Sequence, residues 1–228
     1  SIFVNEMQFN DKNDFKNYPK TIEEDIKTLE KLDIDYLFIP ESNYIYPDGE
    51  FEKLESGNIG KKFEGKSRPG HFDGVLTVVN RLFTLIQPEV AIFGKKDAQQ
   101  LFLIKEMVYK KNYEIKIIES STVRDTLGLA LSSRNSLLTA TGKKNARLLY
   151  QILNKAKRDF LETKKPIVSD KFSGTYSNTD INIDYLEILD LDTFSKPTDK
   201  TDVYIIIIAA YIENIRLIDN IEFRLEKE

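Results

Sequence analysis

EVAIFGKKDAQQL, residues 89 to 101, is the stretch on which the fold turns. A short apolar run, Val90 to Phe93, stops at Gly94 and gives way to two lysines, an aspartate and two glutamines. An apolar run of that length reads as a strand buried on both faces. From Asp97 onward, DAQQLFLIKEMVYKK reads as a helix, and EIKIIE after it as the next strand. Strand, helix, strand is the unit of a parallel sheet, because parallel neighbours need a long crossover. Ligands of such sheets bind beyond the carboxyl ends of the strands. The polar segment GKKDAQQ lies at one of those ends, which makes it the first candidate site.

Towards the N-terminus, Ile2–Asn5 and DYLFIP (35 to 40) read as further strands of the same sheet. Thr21 and Glu24 form a capping-box pattern at the start of a helix that carries Ile22, Ile26, Leu29 and Leu32 on one face. YPDG is a turn, and Phe72 to Ile86 is a helix with Val75, Val78, Val79, Leu82 and Ile86 on one stripe. Towards the C-terminus, STVRDTLGLALSSRNSLLT is a polar loop, and one helix is expected from about Thr139 to Leu161. Residues 164 to 182 are polar and turn-rich. NIDYLEILD and VYIIIIAAYI are strands, and IRLIDNIEF is a third strand or a turn. The expected architecture is α/β: a Rossmann-like parallel sheet over residues 1–122, followed by a small α+β domain over 123–228.

Composition narrows the function. The chain has 228 residues, 41% hydrophobic and 31% charged, as in ordinary soluble domains. Its net charge of -4 gives no basic surface, so nucleic acid is not expected as the main partner. Without cysteine there are no disulfides, thiolate metal sites or cysteine nucleophiles. Val203 to Ile212, the longest apolar run, is too short to span a bilayer. Residues 1 to 30 lack the pattern of a signal peptide. The expectation is a cytoplasmic protein with no membrane partner.

Several clusters could carry chemistry. A lysine between a strand end and a helix N-terminus suits an anion, so Lys96 could hold phosphate oxygens and Asp97 could accept from ribose hydroxyls. Alone, the same stretch is more often a solvated loop with Asp97 as a cap. In LSSRN, Ser132, Ser133 and Arg134 offer two hydroxyls and a guanidinium to a phosphate, although a plain turn is the commoner meaning. Gln8 and Gln100 each follow a strand end and could orient a small polar substrate. His71, the only histidine, is more often structural than catalytic. The acidic run Glu23 to Asp25 could help hold a hydrated magnesium ion, but such runs more often complement a helix start.

Seven motifs taken together resemble the pantothenate synthetase (pantoate–β-alanine ligase) family, of the cytidylyltransferase-like Rossmann superfamily. SIFVNEMQF resembles the family's SIFVNPxQF, YPKTIEEDI resembles YPRTxxxD, and IYPDG matches. FEGKSRPGHFDGVLTVV resembles LEGxxRPGHFxGVxTVV, and FGKKDAQQL resembles FGEKDxQQL. GLALSSRN matches, and IRLIDN resembles TRLIDN. The motifs run in the family's order along nearly the whole chain.

The resemblance implies condensation of pantoate with β-alanine, driven by ATP and magnesium through a pantoyl adenylate, in a homodimeric enzyme. It implies that Gln8 and Gln100 bind pantoate, with Asn5 lining the pocket. Gly94 and Asp97 would contact ribose, and Lys96 phosphate, with Lys95 adding charge nearby. Val123 and Leu131 would meet adenine through their backbones. Ser132, Ser133 and Arg134 would clamp the triphosphate, and Asp25 would stand near magnesium through water. Residues 123–228 would then act as a lid. Departures from the pattern are Glu6 for proline, Lys95 for glutamate, Ala98 for an aromatic residue and Leu127 for aspartate. The family begins with a strand and a PTMGxLHxGH loop bearing its catalytic histidine, which precede the SIFVN segment that opens this sequence. The expectation is therefore a chain without that segment and impaired alone. The alternative is a non-catalytic nucleotide-binding or assembly protein of the same fold.

Overall fold

The computed structural model describes residues 1–10, 15–16, 18, 21–48, 51–165 and 181–225. Pro19 and Lys20 of YPKTIEEDI, Gly49 of the expected turn, and most of the polar stretch 164–182 lie outside the described residues. The helices are α1 (Ile22–Glu30), α2 (Ser42–Ile45), α3 (Glu64–Ser67), α4 (His71–Ile86), α5 (Ala98–Lys110), α6 (Ala140–Ala146) and α7 (Leu148–Thr163). The strands are β1 (Val90–Gly94), β2 (Lys116–Ser120), β3 (Ile181–Asp190), β4 (Val203–Ile212) and β5 (Ile215–Arg224). Two compact units result: Ser1–Glu89 with Leu103–Ile115, and Val90–Phe102 with Lys116–Glu228. Among the described residues no helix is long and apolar enough to cross a membrane.

β1 and β2 pair in parallel, Val90 opposite Lys116 and Gly94 opposite Ser120, joined through α5 as EVAIFGKKDAQQL requires. Ile92 at the centre of β1 is 67% exposed. Two expected strands do not form ladders. Ile2–Asn5 and Tyr36–Pro40 carry no strand, and the backbone bond described between these segments is Ile2 N–H to the Phe38 carbonyl, 2.9 Å. Their apolar runs satisfied the sequence criterion, but a ladder needs repeated backbone pairing, which one bond does not supply.

In the first unit α4 is the packing element, burying Phe72, Val75, Leu76, Val78, Val79 and Phe83, with Thr77 and Asn80 buried as well. The expected stripe is met at Val75, Val78 and Val79, but Ile86 at the C-terminal end is exposed. On α1 the expected apolar face is not buried, and the capping box is absent. The Thr21 hydroxyl instead donates to the Asp25 carboxylate at 3.4 Å.

The second unit is built on an antiparallel sheet in the order β3-β4-β5. β4 is its centre, with Ile205, Ile206, Ile208, Ala209 and Ala210 wholly buried. Helix α7 packs Leu149, Ile152, Leu153, Ala156 and Phe160 into the same core. The single helix expected from Thr139 is two, broken at Arg147, whose guanidinium turns to the Asp125 carboxylate at 2.9 Å. β4 and β5 are joined by the two residues Glu213 (φ 51°) and Asn214 (φ 64°), the left-handed pair that a tight hairpin needs.

Glu213 also caps α6. It accepts from the Thr139 hydroxyl and from Thr139 N–H at 2.9 Å, and Gly142 lets the carboxylate approach closely, since a Cβ there would lie 2.3 Å from it. The Thr139 hydroxyl, then Thr139 N–H, hold the Glu213 carboxyl below its usual range; partial burial opposes them, and Gly142 N–H adds to them. A folded value below the unfolded one gives stability that is complete above the ordinary glutamate value, about 4.3, and is lost as pH falls through the folded value. Glu213→Gln should therefore melt below the wild type at pH 7, and the gap should close as the pH falls below the ordinary glutamate range. Thermal unfolding across that range tests it; a constant gap would contradict the assignment.

Candidate functional site

In the first unit the site begins with a turn of 3-10 helix, Glu6–Gln8. Asn5 caps it, accepting Met7 N–H at 3.2 Å through Oδ1. Asn5 is only 2% exposed, and its remaining contacts are internal. Nδ2 donates to the Gly74 carbonyl at 3.1 Å and to Gln8 Oε1 at 3.4 Å, while Oδ1 accepts the Tyr46 hydroxyl at 2.7 Å. Burial pushes the Tyr46 hydroxyl well up despite the charge of Arg81, so it stays a donor at any physiological pH. Asn5 therefore orients Gln8 from behind.

His71 belongs to the same support. Its Nδ1–H donates to the Gln8 carbonyl at 2.8 Å, and Nε2 faces Arg68 Nη1 at 3.2 Å, an arrangement that suits the neutral Nδ1–H tautomer. Both ring nitrogens are engaged, so the expectation of a structural histidine fits the geometry. RPGHF thus holds the backbone that presents Gln8.

Gly74 makes the approach possible. A Cβ there would sit 2.2 Å from the Met7 carbonyl oxygen and 2.7 Å from Gln8 N, atoms of the backbone that cannot rotate away. Gly74→Ala should cost about 1–3 kcal/mol of stability by overpacking and move the turn that carries Gln8. Thermal melts measure the loss, and an unchanged melting temperature would show that the turn has room for the methyl group.

In the second unit β1 ends at Gly94, and Lys95–Asp97 form a 3-10 turn leading into α5, which carries Gln100 in its first turn. The two lysines are not equivalent. Lys95 Nζ lies 2.6 Å from Glu222 and 3.4 Å from Glu119. The hydrogen bond to Glu222 raises its pKa; burial opposes this, and the charges of Glu222 and Glu119 reinforce it. Its charge is matched by those carboxylates. Lys96 Nζ is 3.8 Å from Asp97, a looser pairing.

The backbone of this turn is held from β5. Asn220 Nδ2 donates to the carbonyls of both Lys95 and Lys96, each at 2.9 Å. Asp219 beside it takes a two-pronged hydrogen bond from Arg124, at 2.6 and 2.8 Å. Arg124 also donates to the carbonyls of Gly128 and Asn220, and its guanidinium stacks 4.0 Å from the Tyr150 ring centre. IRLIDN was legible as a motif, but no local signal revealed that Asp219 and Asn220 reach segments more than ninety residues away.

The remaining candidates lie on the turn from Val123 to Leu137. Leu131 N–H pairs with the Val123 carbonyl at 2.9 Å, so the turn closes on itself. Ser132 caps the 3-10 turn Ser133–Leu137, accepting Arg134 N–H at 3.2 Å, and the Ser133 carbonyl accepts the Ser136 hydroxyl at 2.7 Å. Asn135 Nδ2 ties the turn to the Ala130 carbonyl at 3.0 Å. Asp125 braces its start, accepting Leu127 N–H and Leu129 N–H at 2.9 and 2.8 Å. Among the described residues no three His, Asp or Glu side chains converge as metal ligands. Asp25 is half-buried with Thr21 as its partner.

The family model for pantoate-beta-alanine ligase matches residues 1–222. The chain belongs to the pantoate-beta-alanine ligase family. It is 42% identical to a pantothenate synthetase of Leptospira interrogans, over 97% of this chain and 79% of the relative. It is 40% identical to that of Vesicomyosocius okutanii, over 98% and 79%. A solved pantothenate synthetase from Thermus thermophilus superimposes with a TM-score of 0.85 at 36% identity, covering 96% of this chain and 81% of that one. A pantoate-beta-alanine ligase of Francisella tularensis, solved in complex with beta-gamma ATP and beta-alanine, gives 0.80 at 38%, covering 96% and 77%. The expected Rossmann-like sheet with a small second domain is borne out, and ligase relatives favour an enzyme over a binding-only protein.

Proposed function

We propose that this protein condenses pantoate with β-alanine in a reaction driven by ATP. The pantoate carboxylate attacks the α-phosphorus of ATP and pyrophosphate leaves. The β-alanine amine then attacks the acyl carbon of the pantoyl adenylate, giving pantothenate and AMP. Activation is needed because a carboxylate oxygen is a poor leaving group until it carries a phosphoryl group. The observation that carries the proposal is the family match along residues 1–222, which includes the polar turn at the end of β1.

Within this reading Lys96 meets the phosphate charge and Asp97 the ribose, next to Gly94. Ser132, Ser133 and Arg134 clamp the triphosphate; a hydroxyl that accepts Arg134 N–H can still donate its own proton to a phosphate oxygen. Adenine meets the backbone of Val123 and Leu131. Because the Val123 carbonyl and Leu131 N–H pair with each other, those contacts fall to the other backbone group of each residue. Gln8 and Gln100 orient pantoate. Among the described residues there is no protein-built cage for magnesium; an ion would be held mainly by phosphate oxygens and water, with Asp25 as an outer contact. Such an ion neutralises phosphate charge. We place the enzyme in the cytoplasm as a homodimer, with residues 123–228 as the lid domain.

The test is AMP release by the full-length protein, with pantoate or β-alanine omitted in turn. Turnover indifferent to pantoate would refute the proposal. Gln100→Ala should raise the KM for pantoate about tenfold, the scale of one lost hydrogen bond to a charged group, with little change in ATP affinity. A weaker ATP affinity at unchanged pantoate KM would place Gln100 at the nucleotide instead.

A further inference from the structure

We propose that Asn220 is a positioning residue for ATP, acting through the Lys95–Asp97 turn, and that Asp219–Asn220 of β5 is a common anchor for both nucleotide-binding segments. This rests on the ligase reading above. Asn220 is 5% exposed and lies in the second unit together with every group it contacts. Its single amide nitrogen donates to two successive carbonyls, those of Lys95 and Lys96. Two carbonyls fixed at one point set the tilt of the peptide planes on either side of Lys96, and hence where the Lys96 and Asp97 side chains start. Asn220 thus ties the turn to β5, while the Lys95 side chain is drawn off to Glu222 and Glu119.

The neighbouring residue does the same for the other segment. Asp219 binds Arg124, and Arg124 reaches the Gly128 carbonyl, inside the turn that Val123 and Leu131 close. Asp219 Oδ1 also accepts Asn220 N–H at 2.8 Å, so the two anchors share one carboxylate. The ribose–phosphate turn and the adenine turn are thereby referenced to adjacent residues of one strand. A nucleotide that must meet both needs their separation fixed before it binds, and preorganisation of this kind lowers the cost of ordering on binding.

The experiment compares ATP with 2′-deoxy-ATP and 3′-deoxy-ATP in the full-length protein. Calorimetric binding and pantoate-dependent AMP release are both measured, for the wild type, Asn220→Ala and Asn220→Ser. The wild type should prefer ATP over the worse analogue by about tenfold or more, the scale of a hydrogen bond to a carboxylate. Asn220→Ala should weaken ATP tenfold or more on that same scale while shrinking the preference below about threefold, because a misplaced Asp97 no longer senses the hydroxyl. Asn220→Ser keeps one shorter donor and should fall between. The KM for β-alanine should stay within about twofold, since this turn is not assigned to the amine.

An undiminished ribose preference in the folded variants overturns the proposal. So does an equal loss for all three nucleotides together with a raised β-alanine KM, or failure of both variants to fold, which would make Asn220 a folding residue only. Ribose discrimination that depends on Asn220 in binding, without pantoate-dependent AMP release by the wild type, would sustain the anchor and refute the ligase reading instead.

Discussion

Arg124→Met should destabilise the protein by about 3–5 kcal/mol, the cost of stranding a buried charge without its partner. The Asp219 side chain is 4% exposed, and Arg124 is its two-pronged partner at 2.6 and 2.8 Å. Methionine keeps the length of the apolar stem but loses the guanidinium stacked on Tyr150 and supplies no donor to Asp219 or to the carbonyls of Gly128 and Asn220. The carboxylate would then remain buried with only Asn220 N–H described against it. Chemical denaturation measures the loss. Adding Asp219→Asn to the same chain should restore part of it, because no buried charge is then left over. If the double variant is as unstable as the sum of the singles, the pair is not coupled and the anchor assigned to β5 loses its basis.

How far the sequence carried the fold depends on the range of the interactions concerned. β1, α5 and β2 were legible because each is a local pattern, and so was β4, whose run of four isoleucines admits little else. Ile2–Asn5 and Tyr36–Pro40 were misread because an apolar run does not say whether a neighbour is placed to form a ladder, and here Tyr36 and Ile39 are exposed. The helix break at Arg147 has no glycine or proline to signal it, and the partner its side chain meets there, Asp125, is twenty-two residues away. The same limit applies at the site. Lys95 and Lys96 look alike in GKKD, and only their partners separate them. Glu222, which claims Lys95, lies 127 residues along the chain. The amide of Asn5 is engaged with the turn that carries Gln8, an arrangement that depends on Gly74 and Tyr46 arriving from elsewhere.

That difference between the lysines yields the second large effect. Lys96→Ala should lower kcat/KM for ATP by about 10²–10³, as expected for removing one charge-bearing donor to the developing phosphate charge. Lys95→Gln should lower it by less than about tenfold, because Glu222 and Glu119 already neutralise that ammonium and its field on the phosphates is small. Stability should follow the opposite order. Lys95→Gln leaves two carboxylates facing one another at the end of β1 without a cation between them, whereas Lys96 gives up a 3.8 Å contact to a half-exposed Asp97. Melting temperature and pantoate-dependent AMP release, measured on the same preparations, separate the two roles. If Lys96→Ala loses stability and keeps turnover while Lys95→Gln loses turnover, the assignments of the two lysines are interchanged, and the phosphate must be met from the Glu222 side of the turn.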